Sequence, residues 1–69
     1  MTTTKFAAED DAQVLAVLRS AASPLEFADV KLAAGLPEGR TRAALRRLAA
    51  AGLAIDDRPG LGPSAWRAL

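Results

Sequence analysis

Four arginines, Arg40, Arg42, Arg46 and Arg47, fall within eight positions of the stretch GLPEGRTRAALRRLAAAGL, residues 35–53. Guanidinium groups at helical spacing suit the recognition of nucleic acid, because an arginine fork matches guanine O6 and N7 in the major groove. If this stretch is a helix, Arg42 and Arg46 stand one turn apart and are the candidates for successive base edges. Arg40 and Arg47 lie on its flanks and are candidates for phosphate contacts, which position a protein without reading sequence. Arg58, in the loop DRPGLGP, is the candidate for a further backbone contact. The plainer alternative is a solvated helix face, and seven arginines against two lysines fit coding bias as readily as function.

Other chemistries fail on inventory. Without histidine, cysteine or tyrosine, the usual general bases, thiol nucleophiles and soft metal ligands are missing. Ser20, Ser23 and Ser64 stand in no Gly-x-Ser-x-Gly elbow, and GLPEGR lacks the Lys-Ser/Thr ending of a phosphate-binding loop. Asp56 and Asp57 are sequence neighbours, so on a strand they face opposite sides and make a poor dyad. The expectation is a protein that is not an enzyme, with no cofactor, no metal and no small-molecule site.

Three helices and a short sheet are expected to position the arginines. Val14, Leu15, Leu18, Ala21 and Ala22 recur at helical steps, which predicts a first helix over about 9–21. Glu9, Asp10 and Asp11 in its first turn complement the helix dipole. Pro24 ends it by pushing Ser23 out of the α region. Phe27, Val30 and Ala34 predict a second helix over 27–34, closed by Gly35. Leu25 is a candidate for a very short strand. Pro37 suits the first position of a third helix, predicted over about 37–51, with Thr41, Ala44, Leu45 and Leu48 facing the core. The period then shortens to two, so LAID (53–56) and SAWRAL (64–69) read as strands around a turn-rich loop. Trp66 alternates with Ala68 and is expected in the core.

Composition sets the scale. A chain of 69 residues buries only about 60% of its unfolded surface, and nearly half of its hydrophobic residues are alanine. It is expected to form one small domain, with residues 1–8 as an N-terminal extension. No apolar run is long enough for a membrane span and the N-terminus lacks the plan of a signal peptide, so a cytoplasmic location is expected. Net charge is +1, but it is unevenly placed. Residues 1–36 carry three cations against five carboxylates, and residues 37–69 carry six arginines against three carboxylates.

The order helix, short strand, helix, tight turn, helix, hairpin resembles a winged helix-turn-helix domain of the bacterial transcription-regulator type. VLAVLRSAASPLEFADV followed by AAGLP resembles the first two helices and the turn into the recognition helix. ALRRLAAAGLA is similar to the end of that helix and the entry to the wing, and AWRAL to the second wing strand. The resemblance implies a mainly α, α+β fold with a two- or three-stranded antiparallel sheet. Its implied function is docking of the third helix in the major groove of double-stranded DNA, commonly as a homodimer. Lys31 stands where a small residue is usual, Thr41 where a larger aliphatic is usual, and Gly39 where Ser or Thr often opens the recognition helix.

Phe6, Val17, Leu32 and Leu61 fall outside the expected core and are candidates for a dimer or partner surface. A winged-helix adaptor that binds protein and not DNA is therefore the alternative reading, and the acidic Asp56–Asp57 stem of the wing fits it. RNA binding through the same basic face is indistinguishable at this level.

Overall fold

In the computed structural model, which describes residues 7–58 and 63–69, the elements follow the expected order. They are α1 (Ala7–Ser20), β1 (Leu25–Glu26), α2 (Phe27–Ala34), α3 (Glu38–Ala50), β2 (Ala54–Asp56) and β3 (Ala65–Ala68). The strands form an antiparallel sheet in the order β1-β3-β2. Leu25 lies opposite Trp66, and Ile55 opposite Arg67. This is a winged-helix-like α+β layout, mainly helical.

Local chemistry sets the boundaries. Glu9 and Asp10 in the first turn of α1 and Arg19 in its last oppose the helix dipole from both ends. Gly35 closes α2 in the left-handed region at φ 68°, where its N–H reaches the Lys31 carbonyl at 3.0 Å. The chain can then turn sharply, because glycine has no Cβ to clash there. Pro37 is extended, with ψ 158°, so it precedes α3 instead of being its first helical residue. Its carbonyl receives the first helical bond, from Thr41 N–H at 3.0 Å. At the other end, Gly52 N–H bonds the Ala49 carbonyl and Leu53 N–H the Leu48 carbonyl. With Gly52 at φ 76°, this is a Schellman closure, and it aims the chain directly into β2.

The core lies where the helices meet the inner face of the sheet. Val14 and Leu18 enter from α1, Val30 and Ala34 from α2, and Ala44, Leu45 and Leu48 from α3, with Leu36 and Ala54 beside them. Trp66, Leu25 and Phe27 pack against this cluster while half-buried. Thr41 is fully buried, and its hydroxyl donates to the Pro37 carbonyl at 3.0 Å. That bond explains how a polar residue occupies the core, since a buried hydroxyl is tolerated once it has a partner.

Two glycine substitutions separate conformational need from mere presence. Gly35→Ala forces a left-handed alanine and should destabilise the fold by about 1 kcal/mol. Gly39 lies within α3 and a Cβ there meets nothing within 4 Å, so Gly39→Ala should stabilise it by about 0.5 kcal/mol. Urea unfolding of both variants reads the opposite signs.

Candidate nucleic-acid interface

The four arginines of α3 occupy three different environments. Arg40 bends toward α1, where its Nε and Nη2 donate to the two carboxylate oxygens of Asp10 at 2.9 and 2.8 Å. Arg47, two turns further along the same flank, donates from Nε to both oxygens of Asp11 at 2.9 and 3.0 Å. Its Nη2 also lies 2.8 Å from Asp11 Oδ1. The N-terminal end of α1 therefore supplies two adjacent carboxylates to two arginines seven residues apart. Sequence reading gave Asp10 and Asp11 a dipole role alone. Their pairing across thirty or more residues is a product of how α1 crosses α3, which no local pattern carries.

The two pairs differ in exposure. Asp10 is only 2% exposed, whereas the side chains of Asp11 and Arg47 are 27% and 37% exposed. Hydrogen bonding to Arg40 holds the Asp10 carboxyl below the usual carboxylate range, against the opposite effect of burial. The same bonds raise Arg40 above its ordinary value, as those to Asp11 raise Arg47. Both arginines were candidates for phosphate contacts, and here each already holds an anion.

Arg42 leans the other way, toward α2. Its Nη2 meets Glu38 at 2.8 Å, one turn back, and its guanidinium carbon lies 4.7 Å from the centre of the Phe27 ring. Both members of the ion pair are well exposed, and such pairs contribute at most about 1 kcal/mol. Stacking on Phe27 adds orientation more than strength. Arg46 is exposed and, among the described residues, has no ion pair or hydrogen bond from its side chain. It shares the outward side of α3 with Gly39, Ala43 and Ala50, as the helical spacing requires. Of the two candidates for base contact, Arg42 is tethered and Arg46 is not.

The stem of the wing is internally satisfied. Asp56 accepts the N–H of Arg58 at 2.9 Å and that of Ala65 at 3.2 Å. The bond from Arg58, with a further one from the Ser64 side chain, lowers the Asp56 pKa. Asp57 pairs with Arg67 across the hairpin at 2.8 Å. The two aspartates thus diverge into separate structural bonds, while Arg58 remains exposed with its side chain unpaired among the described residues.

The apolar candidates are redistributed. Leu32 is 76% exposed, but Val17 is half-buried and packs against the core edge. There it lines a shallow apolar groove of about 480 Å³ between α1 and α2, with Ala16, Leu25 and Ala33. Val17 thus stands outside the fully buried cluster, as its helical spacing requires, while packing against it. Phe6 and Leu61 lie outside the described residues. Leu53, Ile55 and Leu69 emerge as exposed. The register and the Leu69 N–H bond to the Leu53 carbonyl put all three on the outer face of β2 and β3. Strand alternation around Ala54 would have found them. Among the described residues, no helix is long and apolar enough to cross a membrane.

No protein-family model matches this chain, and no curated protein does. It is similar to the crystal structure of a candidate DNA-binding protein from Ralstonia eutropha JMP134, at 27% identity and a TM-score of 0.73. The match covers 88% of this chain and 82% of that one.

The Asp10–Arg40 pair has a pH signature. Asp10 has a lowered pKa in the folded state, so its contribution is complete above the unfolded value of about 3.9 and is lost as pH falls through the folded one. Asp10→Asn should therefore melt lower than the parent at pH 7. Thermal melts between pH 7 and 2.5 should show that gap closing only below about pH 4.

Proposed function

We propose that this chain is a DNA-binding regulatory module of the cytoplasm that docks α3 in the major groove of double-stranded DNA. The observation that carries the reading is Arg46, exposed and unpaired among the described residues on the outward side of α3. The likeness to the Ralstonia protein supports the same partner. Arg46 and Arg42 carry the base contacts. Arg42 reaches a base once it leaves Glu38, and the Phe27 ring limits where it swings. Arg47 and Arg58 face the phosphates, Arg47 once it leaves Asp11, while Arg40 stays on the buried Asp10 carboxylate. A homodimer would present two such helices to half-sites about one helical turn apart, which multiplies a modest individual affinity.

A protein-interaction module is the second reading, favoured by the apolar trio Leu53, Ile55 and Leu69 on the outer sheet face. Under that reading the arginines meet an acidic protein surface.

Salt separates the two. Fluorescence anisotropy of a labelled mixed-sequence duplex at ~50 and ~200 mM salt should show binding that weakens with salt, as phosphate neutralisation requires. A duplex RNA of the same length, used as competitor, separates DNA from RNA. On a selected site, Arg46→Ala should lose about 5- to 150-fold in discrimination, the equivalent of one good bidentate base contact at ~1–3 kcal/mol. Absence of binding by the folded protein at both salt concentrations would replace this reading with the protein-interaction one.

A further inference from the structure

We infer that Asp11 acts as an internal competitor for phosphate at Arg47, so that α1 limits how many DNA phosphates α3 can hold. The inference rests on the DNA-binding reading and specifies how that site is restrained.

The Asp11 carboxylate meets the Nε and Nη2 edge of Arg47 with two oxygens. A phosphate takes the same edge in the same two-point geometry, so the two anions exclude one another there. The pair is also exchangeable. Arg47 and Asp11 are each about a third exposed, and released Asp11 can be solvated by water. Arg40 differs, because its partner Asp10 is 2% exposed and would be left as a buried, unpaired carboxylate. The flank of α3 that faces α1 thus holds one fixed arginine and one whose partner can be exchanged. Arg46 is adjacent to Arg47 in sequence and faces outward, so a duplex seated on Arg46 brings phosphate close to the exchangeable pair. Displacing the carboxylate also leaves its negative charge beside the incoming strand. Removing the charge of Asp11 should therefore strengthen binding, opposite to what loss of a mere positioning contact would do.

The test compares the parent chain, Asp11→Asn, Asp29→Asn and the double variant Asp11→Asn/Arg47→Ala on one labelled mixed-sequence duplex. Asp29→Asn makes the same change of net charge at an exposed position on α2. Asp11→Ser repeats the measurement with a shorter neutral side chain, and circular dichroism verifies the fold of each. One more phosphate contact steepens the salt dependence enough to widen the 200-to-50 mM affinity ratio about 3.5-fold. The expected result is that widening in Asp11→Asn. It should come with roughly threefold or tighter binding at 50 mM, a gain absent from Asp29→Asn and abolished in the double variant. Weaker binding by Asp11→Asn, a gain equal to that of Asp29→Asn, or a gain that survives Arg47→Ala would each overturn the inference while leaving DNA binding in place. No binding by any of the variants at 50 mM would instead remove the DNA-binding reading, and the inference with it.

Discussion

The docking of α1 against α3 is the contact on which the rest of this molecule depends. It joins the two longest helices through Val14 and Leu18 on one side and Ala44, Leu45 and Leu48 on the other. At its edge the Asp10–Arg40 fork adds direction to the apolar contact. A buried carboxylate tolerates no other partner than the one built for it, so the fork admits one register between the helices where greasy side chains alone would admit several. Everything downstream inherits that register. The turn at Gly35 to Pro37 brings α3 beneath α1, the Schellman closure at Gly52 sends the chain into the sheet, and β3 returns between β1 and β2.

The same contact decides what α3 can show to a partner. Read along the sequence, α3 is a strongly basic helix. Folded, much of that charge is already spoken for: Asp10, Asp11 and Glu38 each hold one of its arginines, and Arg46 keeps the outward position. A helix that carries its own anions meets a polyanion with less attraction than its composition suggests, and contact geometry counts for more in partner choice. The wing repeats the pattern with Asp57 on Arg67.

How much of this was legible in the sequence follows from the range of each interaction. Helix order, the Gly35 closure, the buried face of α3 from Thr41 to Leu48 and the brief strand at Leu25 are local, and residue spacing carried them. The boundary at Pro37 shifted by one because a proline suits both an extended cap and a first helical turn. The half-burial of Val17 was beyond reach for a different reason. Helical periodicity says which way a side chain points but not how close the next helix comes. The pairing of Asp10 and Asp11 with Arg40 and Arg47 was illegible for the same cause, since adjacent acids at a helix start have a sufficient local explanation in the dipole. Leu53 and Ile55 were within reach of strand alternation.

Four of the ten buried hydrophobic residues among those described are alanines: Ala34, Ala44, Ala54 and Ala65. A methyl group has little volume to give up, so truncation at these sites removes almost nothing from the packing. Enlargement is another matter, because each of these methyl groups is already enclosed and an added methylene must displace a neighbour. The molecule is thus tolerant of loss and intolerant of gain across nearly half of its interior. Sequence drift in such a chain is confined from one side, and its small core is held less by what fills it than by what it cannot admit.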